Sequence, residues 1–110
     1  MTSPNVPSVT VSDLPDGTLL LDVREQDEWD AGHAPHALHI PMSELAGRLE
    51  ELPADQDVYV ICRSGGRSAR VTAYLNGNGW DATNVDGGMQ SWESAGKALV
   101  NESQTEPQVI

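Results

Sequence analysis

Apolar residues in this chain recur in short blocks divided by Gly, Pro and charged turns. Leu19-Leu20-Leu21-Asp22-Val23 follows the turn signal Pro15-Asp16-Gly17 and predicts a buried strand, and Asp57 to Ile61 predicts a second. Ala82 to Val85 predicts a third, Val9 to Val11 a short edge strand, and Ala37 to Ile40 a small strand before Pro41. Helical patterns lie between these runs. Glu25 to Ala31 predicts a short helix closed by Gly32. Ser43 is the expected N-cap of a helix through Leu52, with Leu45, Leu49 and Leu52 at helical spacing and Pro53 as the stop. A further helix is expected from about Gly66 to Asn76, ending in Asn76-Gly77-Asn78-Gly79, and a last one around Met89 to Ala95. Strands alternating with helices at these intervals predict an α/β domain built on a parallel sheet. Residues 1–8 read as a lead-in, 9–100 as the domain and 101–110 as a loose, polar C-terminal tail.

Composition narrows the picture. With 110 residues, 38% of them hydrophobic, the chain suits one small domain, and without Phe its core must be mostly Val, Leu, Ile and Ala. A formal net charge of −11 argues against nucleic acid or an anionic membrane surface as partner. No stretch approaches the roughly 18 consecutive apolar residues of a membrane span, and Met1 to Thr10 has no apolar signal region, so a cytoplasmic location is expected. A single cysteine cannot form an internal disulfide.

That cysteine opens the run Cys62-Arg63-Ser64-Gly65-Gly66-Arg67-Ser68, between an apolar strand and a helix start. A strand ending in a thiol, a glycine-rich turn and a helix N-terminus brings backbone N–H groups and the positive end of a helix dipole to one point. Both favour thiolate over thiol, and thiolate is the nucleophile. A buried structural thiol is the plainer alternative; two glycines and nearby arginines tell against it. Gly65 and Gly66 let the backbone curl with its amides inward. Arg63, Arg67 and Arg70 are three of only six Lys and Arg residues. This local positive spot on an acidic protein suggests a small anionic ligand, faced by Arg63 or Arg67, while Arg70 reads as helix surface. Asp22 and Arg24 flank Val23 at a strand end and so point to one face, as a structural ion pair that anchors neighbouring loops. His33, His36 and His39 invite a metal reading, but Pro35 breaks the helix that would align them and no further ligands complete a site, so no metal is expected. Trp29, Trp80 and Trp92 read as packing residues.

Taken together, Leu21-Asp22-Val23-Arg24-Glu25 with Trp29, Gly32-His33-Ala34-Pro35-His36-Ala37 with Ile40-Pro41, the Cys62 loop, and Asp86-Gly87-Gly88 with Trp92 resemble a single-domain rhodanese, a member of the sulfurtransferase family. The resemblance covers roughly Val11 to Leu99. It implies a five-stranded, mostly parallel sheet with helices on both faces, and a persulfide carried on Cys62 in a backbone-lined pocket. It also implies a loop from Arg63 through Ser64, Gly65, Gly66 and Arg67 to Ser68 that binds substrate and persulfide, with Asp22 and Arg24 supporting the region. Arg63 resembles the position that family members active on thiosulfate fill with a base. His36 departs from the pattern, which normally has a small residue there, and many members lack the second loop arginine.

The expected activity is therefore transfer of a sulfane sulfur from a small anionic donor such as thiosulfate to cyanide, a thiol or a protein acceptor, without a cofactor. Two alternatives accompany it. Cysteine phosphatases use a similar loop, but theirs is Cys-x5-Arg, whereas Cys62 to Arg67 is one residue shorter and suits a single sulfur better than a phosphoryl group. The other alternative is a rhodanese-fold sulfur-carrier or protein-interaction module, although interaction modules commonly lack the cysteine that this chain retains.

Overall fold

The computed structural model describes residues 6–110. Five strands form one sheet: β1 (Ser8–Thr10), β2 (Leu19–Asp22), β3 (Leu38–His39), β4 (Val58–Ile61) and β5 (Ala82–Asp86). Their order is β1-β5-β4-β2-β3, and every pairing is parallel. Three α-helices connect them: α1 (Gln26–Ala31), α2 (Gly66–Gly77) and α3 (Gly88–Ser94).

Alternation along the strands divides the interior in two. On β4, Val58 and Val60 point to one face with Cys62 beyond them, joining Leu21, Val71 and Leu75 in one core; Tyr59 and Ile61 point to the other, joining Leu20, Val85 and Met89. A parallel sheet has both faces covered, so its central strands carry nearly continuous apolar runs. Each of these side chains contributes roughly 1.5–3 kcal/mol when fully buried. In sheets of this kind the carboxyl ends of the strands form the ligand-binding edge, and Cys62 lies just past the end of β4.

Four expectations need correction, the last of them the C-terminal tail. The helix expected from Ser43 to Leu52 is instead two short 3-10 segments, Met42–Gly47 and Leu49–Glu51, parted at Arg48 (φ −129°, ψ 21°). Gly47 weakens a helix there, and burial of Leu45 and Leu52 fixes the path without one. Ser43 does not cap; its hydroxyl donates to the Glu25 carboxylate. The first strand is Ser8–Thr10 rather than Val9 to Val11, because Val11 begins a 3-10 turn that buries its side chain. Of the expected lead-in, residues 1–5 lie outside the described residues and Ser8 belongs to β1.

Residues 101–110, expected as a loose tail, lie against the body. Val100 forms an isolated antiparallel bridge with His33, the Gln108 N–H donates to the Ala31 carbonyl, and Val109 packs on the core beside Met89 and Trp92. Gly32 permits this approach, since a Cβ there would lie 2.6 Å from the Gln108 oxygen. Among the described residues, no helix is long and apolar enough to cross a membrane.

Candidate active site

The turn after β4 closes around the sulfur of Cys62. Gly65 takes a left-handed conformation (φ 115°) that a side chain would strain, and there it caps α2. The reversal aims the Gly65 N–H at Cys62 Sγ, 3.1 Å away, and the Ser68 N–H at the same atom, 3.4 Å away. The Ser68 hydroxyl lies 3.3 Å from Sγ. The first N–H groups of a helix have no carbonyl partner within it. Ser68 directs one of these at sulfur, and those of Gly66 and Arg67 stand beside it at the positive end of the α2 dipole.

These donors make the thiol more acidic. Cys62 is only 1% exposed, and burial pushes its pKa up, but the Ser68 hydroxyl and the N–H groups of Ser68, Gly65 and Ser64 outweigh that and hold it below the ordinary value. The loop itself is held from behind by α3. The Met89 N–H donates to the Cys62 carbonyl (2.8 Å) and the Gln90 N–H to the Arg63 carbonyl (3.0 Å). With the Arg63 carbonyl turned toward α3, the Ser64 N–H of the same peptide is left on the side of the sulfur. Gly88 makes this contact possible, because a Cβ there would stand 2.4 Å from the Cys62 oxygen.

The arginines divide in role. Arg67 does not point freely at the pocket: its guanidinium forms a two-pronged pair with Glu28 of α1, at 2.7 and 2.8 Å. This hydrogen-bonded pair lowers the Glu28 pKa and raises that of Arg67, although partial burial opposes both shifts. Arg63 is exposed, and its Nε donates to the Ile110 carbonyl at 2.9 Å. Arg70 is exposed on the surface of α2. Ser64 and Gly66 are exposed at the rim, whereas Gly65 and Ser68 are buried.

Asp22 and Arg24 lie outside the sulfur cradle as a fully buried ion pair, closest at 2.9 Å. Arg24 also donates to the carbonyls of Glu28 (3.3 Å) and Gly32 (2.8 Å), which ties the end of β2 to α1. Glu28 then carries that tie across to Arg67. Trp29 is stacked between His33 and His39, with ring centroids 3.5 and 4.5 Å away. His33 also bonds the Ala34 carbonyl and Glu102, and His39 bonds the Arg24 carbonyl, so both rings serve packing.

Several contributors escaped the sequence reading. Glu28 lies in the short helix expected from Glu25 to Ala31, and its place in the capping box with Glu25 is its one local signal. Asn84, whose side chain accepts the Ser68 hydroxyl, gave no signal except a polar residue inside an apolar strand. The Gly87-Gly88 pair was visible, but not its contact with the Cys62 loop.

Comparison with known proteins agrees with this architecture. The family profile described as Rhodanese-like domain matches residues 10–95. The Bacillus subtilis protein named "Putative sulfurtransferase YtwF" is 44% identical over 78 residues, covering 71% of this chain and 76% of that protein. A protein of Allochromatium vinosum named "Sulfurtransferase" is 40% identical over 83 residues, covering 74% of this chain and 78% of its own. The crystal structure of a rhodanese-related protein from Thermoplasma volcanium superposes with a TM-score of 0.82 at 35% identity, covering 87% of this chain and 99% of the other. The chain belongs to the rhodanese-like domain family.

Proposed function

We propose that this protein is a sulfurtransferase that carries a sulfane sulfur as a persulfide on Cys62, with thiosulfate as a donor it can use. The observation that carries the reading is the convergence of the Gly65 and Ser68 N–H groups on a buried Cys62 sulfur at the start of α2. The thiolate attacks the outer sulfur of thiosulfate. An S–S bond forms to Sγ, the S–S bond of thiosulfate breaks, and sulfite leaves with the electron pair. The enzyme is left as Cys62–S–S⁻, its charge on the outer sulfur. That atom sits about 2.05 Å beyond Sγ, where the N–H groups of Gly66 and Arg67, without a carbonyl partner among the described residues, stabilise it. Cyanide or a thiolate then takes the outer sulfur and returns the Cys62 thiolate. Covalent storage divides one transfer into two displacements, and donors that favour the thiolate lessen the demand on a general base.

The phosphatase alternative has weaker support. A phosphoryl group needs an arginine to grip its oxygens, and Arg67 is engaged by Glu28. Intact-mass measurement tests the proposal. Incubation with thiosulfate should add one sulfur atom, cyanide should remove it as thiocyanate, and Cys62→Ser should abolish both while the protein stays folded. A folded wild-type protein that takes up no sulfur from thiosulfate or from a thiol persulfide would overturn the reading.

A further inference from the structure

Asn84 occupies an unexpected place. It lies inside β5, only 4% exposed, in register with Val60 on one side and Ser8 on the other. A polar side chain buried in a sheet costs stability unless it is hydrogen-bonded. Among the described residues its amide has one partner, the Ser68 hydroxyl, which donates to Oδ1. That hydroxyl is also 3.3 Å from Cys62 Sγ. Three polar groups therefore stand in line, and the middle one has a single hydrogen to give.

Counting donors shows the consequence. With Cys62 as a thiol, S–H donates to Ser68 and Ser68 donates to Asn84 Oδ1, and the chain is satisfied. A thiolate can only accept. Ser68 must then turn its hydrogen to sulfur, which would leave its lone pairs against Oδ1. If the amide turns over, Nδ2 donates to Ser68, Ser68 donates to sulfur, and the chain is satisfied in the opposite direction. The oxygen and nitrogen ends of the amide have almost the same shape, so turning needs no repacking. We propose that Asn84 is a positioning residue for Cys62, its side-chain amide reversing the chain Cys62–Ser68–Asn84 so that Ser68 becomes a donor whenever the sulfur is an anion. Its bearing on catalysis rests on Cys62 being the sulfur-transfer nucleophile, but the chain itself concerns only thiol and thiolate.

Other charges surround the sulfur: Arg63 and Arg67 on the loop, Glu28 paired to Arg67, Asp86 beside Gly65, and the Asp22–Arg24 pair beyond β4. The test leaves all of them in place. Because Cys62 is the only cysteine, the pH dependence of iodoacetamide alkylation reports it alone. Asn84→Asp keeps the shape but, as a carboxylate, only accepts; it should raise the alkylation midpoint by about one pH unit, a tenfold lower rate near neutrality. Asn84→Leu removes the competing acceptor and should shift the midpoint far less. A purely structural Asn84 predicts the reverse order. Since Asp also adds charge, both changes are repeated on Ser68→Ala, where the chain is cut and the Asp shift should fall by at least half. An equal shift for Leu and Asp, or an Asp shift undiminished without Ser68, overturns the proposal. Should Asn84→Asp fail to fold, the wild-type protein decides: the Asn84 side-chain ¹⁵N–¹H signals should titrate with the alkylation midpoint, and signals that stay fixed through it overturn the proposal. Neither measurement uses a sulfur donor, so a failure of sulfur transfer leaves both readable.

Discussion

Replacing Gly88 by alanine should disable the sulfur cradle although Gly88 itself makes no hydrogen bond to the sulfur. The added Cβ would lie 2.4 Å from the Cys62 oxygen and 2.7 Å from the Arg63 carbonyl carbon and oxygen. An ordinary carbon–oxygen contact is about 3.3–3.6 Å, so the overlap approaches 1 Å. Both obstructing groups are backbone, and both accept hydrogen bonds from the start of α3, at 2.8 and 3.0 Å. They cannot withdraw without breaking those bonds. The left-handed φ of 57° adds about 1–2 kcal/mol for any side chain. A forced backbone shift costs about 1–3 kcal/mol and a lost hydrogen bond about 0.5–1.5 kcal/mol, giving roughly 3–6 kcal/mol altogether. A domain of this size is stable by about 5–15 kcal/mol, so Gly88→Ala should be weakened yet folded at low temperature.

Gly17 supplies the control, because it has φ 73° and nothing within 4 Å of a built Cβ. Gly17→Ala should cost only the conformational term, about 1–2 kcal/mol. Urea unfolding followed by tryptophan fluorescence measures both costs, and the pH midpoint of Cys62 alkylation measures the cradle. In Gly88→Ala, carbonyls pushed off α3 rotate the following amides away from sulfur, and the midpoint should rise toward that of a free thiol, about 8.5. Gly17→Ala should leave it unchanged. The reasoning fails if Gly88→Ala is no less stable than Gly17→Ala and retains the wild-type midpoint.

Two further outcomes are expected. Glu28→Gln should lose about 1.5–3 kcal/mol of stability at neutral pH, the worth of hydrogen bonds to a charged group. Because pairing with Arg67 holds the folded pKa of Glu28 below its ordinary 4.5, that advantage is complete above 4.5 and is lost as pH falls through the lowered value. Urea unfolding at several pH values should therefore show wild type and variant converging in acid, and a constant gap would refute the pairing argument. Arg63→Ala, at an exposed position, should change stability by no more than about 0.5 kcal/mol. It should cost thiosulfate roughly one to two decades in kcat/KM, more than it costs a monoanionic persulfide donor; equal losses for both would remove Arg63 from donor selection.

What is legible in the sequence is what is local. The strand–cysteine–glycine–helix sequence carries its own geometry, because Gly65 and Ser68 reach Sγ within a few residues of Cys62. Leu19 to Val23 and Val58 to Ile61 declare their strands because both faces are buried. The helix expected after Ser43 is a failure of periodicity: Leu45, Leu49 and Leu52 have helical spacing, yet 3-10 turns also bring such residues to one side. The Glu28–Arg67 pair joins residues 39 apart in sequence, and the Arg63–Ile110 bond joins residues 47 apart, so no local pattern announces either. The docking of residues 101–110 depends on Gly32 lacking a side chain, which in the sequence looks like a helix stop.

The arginines around Cys62 look, in the sequence, like the source of the site's affinity for anions. In the folded protein Arg67 is neutralised by Glu28, Asp86 stands beside Gly65, and the whole chain carries −11. Long-range attraction of an anionic donor is therefore poorly served, since the field that would steer it is mostly negative. What remains is short-range: N–H groups aimed at one sulfur and a helix terminus equivalent to about half a positive charge. Such groups act only on an atom already in contact, and their aim depends on backbone direction rather than on charge count. That is why Gly65 and Gly88, which have no side chains, and Asn84, which has no charge, bear on the chemistry of Cys62 as directly as the arginines next to it.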